Sequence, residues 1–323
     1  MRISFTVPAA LIGTVLAAGS VVAETQPQPP RPARSTWKNE TSYPAIAEGK
    51  WTGRRRADGQ PDIEGFWSNT IANHNNWTDP QGGAPGDNPR EPLGPRESRA
   101  PSRVTDPADG QLPYQPWARA KQQEFAAHFA NPTEPRFIEP LARCAPAGVP
   151  KSFTWHGYEI RQYPSYVFLL FGSGSRLIHL DGKPHLPDNI KLWNADSRGH
   201  WEGNTLVVDV RNNNGKALLG RTGDFISENA VIEERYVFAN DGKRFNYVAK
   251  VTDPEVFTRP WTATIPMKHW TEKDPIHNWH YEVVPANGKP EIDEKYEQTC
   301  VENNAGFGGG AVGVPRTDAI IQR

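Results

Sequence analysis

The sequence predicts an all-β protein, folded as an antiparallel barrel or a sandwich. Short runs of alternating apolar and polar residues follow one another after Pro150. Turn residues separate these runs, which recur about every ten residues, as is typical of sandwiches and barrels. One segment alone carries the start, spacing and stop signals of a helix. The spacing leaves open whether the strands form a barrel or two packed sheets.

The first residues have the pattern of a signal peptide. Arg2 gives a positive start, an apolar run covers 3–18, and small residues end at Ala23. The run is too short for a membrane span and contains Pro8. We therefore predict a signal peptide over 1–23, cleavage after Ala23, no membrane span, and a periplasmic or secreted protein.

Composition divides the rest of the chain. Residues 24–56 are rich in proline and predict a flexible segment. A single β-rich domain is expected over 57–304, with an irregular insert over 79–113 where Pro and Gly exclude regular strands. The Gly-rich residues 305–323 predict a C-terminal tail.

The predicted helix covers approximately 116–130. Pro116 suits a first helical turn, and an Asn-Pro pair at 131 ends the segment. Trp117, Phe125 and Phe129 recur at helical spacing.

The strands that follow can be placed by their turns. The stretch YEIRQYPSYVFLLF holds a strand on each side of Pro164, and the second is apolar enough for burial on both faces. Asp181-Gly182 and Asn240-Asp241-Gly242 predict turns, the latter inside a hairpin. The stretch NWHYEVVP at 278–285 predicts a late strand.

Two cysteines, Cys144 and Cys300, are present. Exported proteins fold where thiols oxidise, so a disulfide between them is expected. The formal net charge of −1 gives no electrostatic basis for binding nucleic acid. Nucleotide-binding, nucleophilic-serine and zinc-protease motifs are absent from the sequence, which predicts no cofactor and no metal.

Seven segments occur in an order that resembles a known family: ADGQPDIEGFW, RCAPAGVP, RLIHLDGKPH, DSRGHWEGNTLVVDV, EERYVF, TDPEVFTRPWT and CVENN. The resemblance is to a large, mostly uncharacterised family of exported bacterial β-rich proteins with the motif D-S-x-G-x-W-E-G-D-T-L-V-V-D-T. Asn204 and Val210 depart from that motif. The GFW stretch also resembles the first strand of lipocalin-like barrels, which implies a barrel.

Candidate catalytic residues lie in a turn and on a strand. His185 is a candidate general base in the turn HLDGKPHLPD, with Asp181 as the carboxylate that orients it. In VIEERYVF, alternation places either Glu233 or Glu234 on the inner face beside large apolar groups, and an inward Glu234 is the second candidate base. The resemblance favours Asp181, His185, Glu234 and Arg235.

Binding residues are expected beside these groups. Arg176 and Arg235 are candidates for holding a developing oxyanion. In SRGHWEGNTLVVDV we select Trp201, Glu202 and Asp209. A carboxylate inside an apolar run needs a partner, so Asp209 is expected either in a buried Asp–Arg pair or in a ligand site.

These features predict an exported protein that binds a small molecule, as a cofactor-free enzyme of the lyase, hydratase or isomerase type. The 11 tryptophans favour an aromatic or carbohydrate-like substrate. The alternative is a non-catalytic periplasmic binding or envelope-associated protein. Glycoside hydrolysis by two inward carboxylates is a third possibility.

Overall fold

Ten strands form one sheet, and nine of them close into a barrel. The structure is a computed structural model that describes residues 43–46, 49–70, 76–82, 95–129, 132–154, 157–171 and 174–269. The predicted signal peptide, the C-terminal tail, the late strand at 278–285 and Cys300 lie outside these ranges. In the described ranges no helix has the length and apolar character that a membrane crossing requires.

The strands follow one another around the barrel almost in chain order. Their bounds are β1 Gly65–Asn69, β2 Val104–Asp106, β3 Tyr158–Tyr163, β4 Tyr166–Phe171, β5 Gly174–His179, β6 Asp196–Glu202, β7 Thr205–Arg211, β8 Val231–Phe238, β9 Arg244–Thr252 and β10 Trp261–His269. Pairing of β1 with both β3 and β10 closes the ring, and β2 is an extra strand on β10. The predicted barrel is confirmed, and closure decides against a sandwich.

One pairing in the barrel is parallel. β5 and β6 meet through His179 and Arg198, whereas the other neighbours pair antiparallel. A parallel pair requires a connection that returns the chain to the starting end of the sheet. Residues 180–195 make this crossover, and they contain the predicted HLDGKPHLPD turn. The barrel is therefore mixed where the sequence predicted only antiparallel strands.

Strict alternation fills the barrel interior. On β8 the residues Ile232, Glu234, Tyr236 and Phe238 are buried, while the residues between them are half-buried or exposed. β9 shows the same pattern, and its register with β8 pairs Tyr236 with Tyr247. The predicted hairpin between them is confirmed. On β4 the outer face is only half-buried, so burial on both faces was a wrong prediction.

The helix α1 spans Pro116–His128, close to its prediction. Its buried residues are Ala118, Gln122 and Ala126, whereas Trp117 is 54% exposed. The helix backbone lies close to Gly223, where a Cβ would be 2.4 Å from the Gln122 carbonyl oxygen. So close an approach leaves no room for a side chain at position 223.

The insert that was predicted to be irregular contains β2 and a fully buried arginine. Arg103 precedes β2 and donates to the carbonyl oxygens of Asn76 and Thr154, at 2.8 and 3.2 Å. These bonds tie three separated segments together beside the barrel. The residues around Arg103 are therefore held by long-range contacts, which cannot be predicted from the Pro- and Gly-rich sequence of the insert.

Candidate functional site

The predicted site residues lie in three separate places. Arg176 and Glu234 form a pair inside the barrel. Asp181, His185 and Asp209 lie on the outer face around the crossover. Glu202 and Arg235 form a pair on the outer face of β6 and β8. Because the barrel wall separates the first pair from the others, the residues do not form a single site.

The inner pair is a buried, two-pronged ion pair. The Nη1 and Nη2 atoms of Arg176 lie 2.9 and 2.7 Å from the two carboxylate oxygens of Glu234. The side chains are 2% and 0% exposed. The Nε and Nη2 atoms of Arg176 also donate to Ser197 Oγ, at 3.0 and 2.7 Å.

Tyrosines complete the surroundings of Glu234. The hydroxyls of Tyr247 and Tyr236 both donate to its carboxylate. Burial first, and then the negative charge of Glu234, raise the pKa of both phenols well above the usual range. Phe153 stacks on Tyr247 with ring centroids 4.0 Å apart and closes the layer.

The inner network therefore satisfies its own hydrogen bonds. Both carboxylate oxygens of Glu234 accept bonds from Arg176 and from a tyrosine. Burial acts against the charge on Arg176, but the adjacent carboxylate outweighs it and keeps the pKa of Arg176 above its ordinary value. A pair this well satisfied and this deeply buried has the geometry of a structural core pair.

On the outer face, an aspartate holds the imidazole of His185. Asp196, the first residue of β6, lies 2.7 Å from His185 Nδ1 and also accepts from the backbone N–H of Leu186 at 3.1 Å. Asn212 fixes the same crossover, because its side-chain amide donates to the carbonyl oxygens of Leu186, Pro187 and Ile190.

The charge state of Asp196 sets the orientation of the ring. Burial acts to raise the pKa of Asp196, but hydrogen bonds from Arg198, Leu186 and His185 together hold it below the usual range. An ionised carboxylate accepts hydrogen bonds and donates none. His185 must therefore carry its Nδ1 proton toward Asp196, which leaves Nε2 as the nitrogen that can exchange a proton.

A second carboxylate faces that nitrogen. Asp209 Oδ2 lies 3.4 Å from His185 Nε2, without the alignment of a hydrogen bond, and Nε2 is buried without a hydrogen-bond partner among the described residues. Asp209 itself is 42% exposed and is paired with Arg211, whose Nε and Nη2 lie 3.0 and 2.9 Å from Oδ2. An arginine partner was expected for Asp209, but the pair is on the surface because Asp209 points outward from β7.

The predicted partner of His185 requires a correction. Asp181 does not orient the imidazole; it lies 3.5 Å from Arg198 Nη1 and accepts from the backbone N–H of Lys183. The bond from Lys183 is the main cause of the lowered pKa of Asp181. Asp181-Gly182 does form the predicted turn, since Gly182 has a φ of +68°. That turn directs Asp181 toward β6 rather than back toward residue 185.

Glu202 and Arg235 form an exposed ion pair. Their closest atoms are 2.6 Å apart, and His200 Nε2 lies 3.1 Å from the same carboxylate. The bond from Arg235, followed by that from His200, lowers the pKa of Glu202. A surface pair of this kind contributes little stability. Trp201, which precedes Glu202, packs beside Phe238 and donates to Gln60 Oε1 at 3.1 Å.

Sequence analysis missed Asp196, the residue that joins the crossover to the barrel. It is the first residue of the DSRG motif, and that motif was the only signal in the sequence, because the parallel pairing that brings Asp196 beside the crossover is not visible there. We define the outer charged cluster as the six side chains that meet here. They are Asp181, His185, Asp196, Arg198, Asp209 and Arg211.

Comparison of the chain with protein-family models, with curated proteins and with solved structures finds no match. In the described part of the chain, no three His, Cys, Asp or Glu side chains are grouped as metal ligands.

Proposed function

We propose that this protein is an exported, cofactor-free enzyme that acts on a small molecule by proton transfer at His185. The observation that carries the proposal is the 2.7 Å contact between Asp196 and His185 Nδ1. A carboxylate on one ring nitrogen fixes the tautomer and leaves the other nitrogen to act as acid or base. In this proposal the outer charged cluster supplies the proton-transferring base and the carboxylate that orients it. The sequence had assigned these roles to His185 or Glu234 and to Asp181.

Two arginines complete the chemistry of the cluster. Arg198 contacts Asp196 at 3.0 Å and holds that carboxylate in place. Arg211 is 54% exposed and is available to an anionic group of a substrate. A base beside an exposed guanidinium suits reactions in which a proton leaves and negative charge develops on oxygen, as in elimination, hydration or isomerisation.

The test is a reaction screen with a library of small metabolites, weighted toward aromatic and carbohydrate acids, in deuterated water. Mass spectrometry detects gain of deuterium, or gain or loss of one water, without a prior choice of substrate. We expect at least one compound to change with the native protein and to remain unchanged with His185→Gln. His200→Gln is the matched control, since His200 is an exposed histidine on the neighbouring stretch of β6.

The alternative is a non-catalytic binding protein, and an aromatic pair with one exposed ring favours it. Tyr163 and Tyr166 stack at the β3–β4 turn with centroids 4.5 Å apart, and Tyr163 is among the exposed large apolar residues. Such rings serve as contact surfaces for sugars or partners. If compounds are retained by the protein in the screen but none is converted, the binding function replaces the enzymatic one.

Export, the disulfide and membership of the exported family belong to the same proposal. The signal-like pattern of the first 23 residues supports cleavage before Glu24, and the two cysteines support a bridge in an oxidising compartment. The mass of the protein purified from the periplasm tests both points. We expect a chain that begins at Glu24 and lacks two hydrogens; an intact Met1 or two free thiols would refute them.

A further inference from the structure

We infer that the outer charged cluster binds a small carboxylate, and that the Asp209 side chain occupies the place of this ligand. The inference rests on the proposed function, because it names the class of molecule that reaches His185. Three features carry it: the direction of His185 Nε2, the partners of Arg211 and the exposure of Asp209.

The geometry around Nε2 is that of a carboxylate site. Asp209 Oδ2 is 3.4 Å from His185 Nε2 and 3.0 Å from Arg211 Nε. The protonated imidazole donates from Nε2 while its Nδ1 donates to Asp196, and a charged N–H of this kind and a guanidinium are the donors that commonly recognise carboxylates. The Nε2 atom has no hydrogen-bond partner in the described part of the chain, although it is buried. A carboxylate placed slightly closer would satisfy it.

Asp209 can leave this position at small cost. It projects from the outer face of β7, and its carboxylate is 42% exposed, so it is solvated when it turns away. Its bonds to Arg211 are between exposed side chains two residues apart on one strand, and such pairs contribute little stability. A ligand carboxylate that displaces Asp209 gains the same two donors without removing a charge from a buried site.

His185 and Asp196 remain in place when Asp209 moves. The imidazole is 18% exposed, and its Nδ1 is held by Asp196, which is 4% exposed. The cluster therefore has a fixed inner part and one exchangeable carboxylate. This arrangement predicts that removing the charge of Asp209 improves the binding of a free carboxylate rather than harming it.

Benzoate is the probe, and benzamide is its uncharged counterpart. Binding is followed by the shift of the His185 Cε1–H signal in carbon–proton NMR, at constant ionic strength, with the signal assigned by its loss in His185→Gln. We expect Asp209→Asn to lower the Kd for benzoate at least tenfold relative to the native protein. Benzamide should not bind, and adding Arg211→Gln to Asp209→Asn should abolish the gain.

The control is Glu233→Gln, which removes the same charge one strand away. Glu233 pairs in register with Asp209 but is opposite Lys250 on the next strand. If Glu233→Gln tightens benzoate as much as Asp209→Asn does, general charge explains the effect and the inference is wrong. Equal affinity of the native protein and Asp209→Asn, or absence of saturable binding in both, also overturns it.

The readout separates this inference from the proposed function. Benzoate binding needs no turnover, so a gain in Asp209→Asn without any reaction in the metabolite screen supports the binding site and refutes the enzyme. A His185-dependent reaction without that gain supports the enzyme and refutes the role of Asp209. Asp209→Ser is the second variant if Asp209→Asn does not fold to the native circular dichroism spectrum.

Discussion

Replacement of Arg176 by methionine should destabilise the barrel strongly. Methionine has a similar length and fits the space, but it donates no hydrogen bonds. Glu234 would then be a fully buried carboxylate held only by the hydroxyls of Tyr236 and Tyr247. Ser197 would lose both bonds that its hydroxyl accepts from the guanidinium.

The expected loss follows from the burial of this pair. Removing one partner of a buried ion pair costs about 3 to 5 kcal/mol, because the other charge is left uncompensated. For a domain of this size each kcal/mol lowers Tm by about 2 to 4 °C. Arg176→Met should therefore lower the free energy of unfolding by about 4 kcal/mol and Tm by about 10 °C.

A double-mutant cycle of Arg176→Met and Glu234→Gln tests whether the unpaired charge of Glu234 causes the loss of stability. Glu234→Gln should destabilise the native protein, because Arg176 then faces a neutral amide. The same change should stabilise Arg176→Met by at least about 1 kcal/mol, since it removes the unpaired charge and keeps an oxygen for Tyr247. Free energies of unfolding come from guanidinium denaturation of the four proteins. If Glu234→Gln lowers stability equally in both backgrounds, the two residues are not coupled and the reasoning is refuted.

Three further predictions concern other parts of the fold. Because the pKa of Asp196 is lowered in the folded protein, its carboxylate stabilises the fold at pH values above 3.8, and this stability is lost as pH falls through the folded pKa. In denaturant titrations, Asp196→Asn should therefore cost about 2 kcal/mol at neutral pH and nothing at strongly acidic pH. Gly223→Ala should cost about 3 kcal/mol in thermal unfolding, because φ at Gly223 is +78° and helix backbone lies within 2.7 Å of the new Cβ. Gly182→Ala should cost about 1 kcal/mol, because φ at Gly182 is +68° but nothing lies within 4 Å of the new Cβ. Replacing Cys144 and Cys300 together by serine should lower the free energy of unfolding by about 2 to 5 kcal/mol; no change would refute the disulfide.

The sequence predicted best what depends on local alternation. The period of two in 231–238 required one of Glu233 and Glu234 to face inward, and the burial pattern shows that it is Glu234. The Asn240–Gly242 turn could be predicted because few residue types other than glycine adopt a positive φ, and φ at Gly242 is +71°. The sequence left a closed barrel and a sandwich as alternatives, because strand spacing does not determine which distant strands pair.

The helix shows why local spacing can mislead. Its first-turn proline and its spacing predicted a helix, and α1 spans Pro116–His128. Trp117 shares that spacing, yet it is 54% exposed. The close contact between the helix and Gly223 could not be predicted, because the position of the opposing loop is a property of the tertiary fold.

The candidate site was predicted in part. His185 was selected correctly as a residue held by a carboxylate, but the carboxylate is Asp196 rather than Asp181. The error has a physical cause: the turn at 181–182 made an aspartate of the same loop the expected partner. The parallel pairing of β5 and β6, which brings the start of β6 beside the crossover, is a non-local feature.

We propose that Nε2 of His185 exchanges the proton because Asp196 holds Nδ1 of the same ring. Nitrogen NMR of the His185 ring, at a pH where the imidazole is neutral, tests this directly because the two tautomers have distinct nitrogen shifts. We expect the Nδ1–H form in the native protein and a mixture of tautomers in Asp196→Asn. A predominant Nε2–H form in the native protein would contradict the account, because the nitrogen that faces the ligand position would then have no free electron pair.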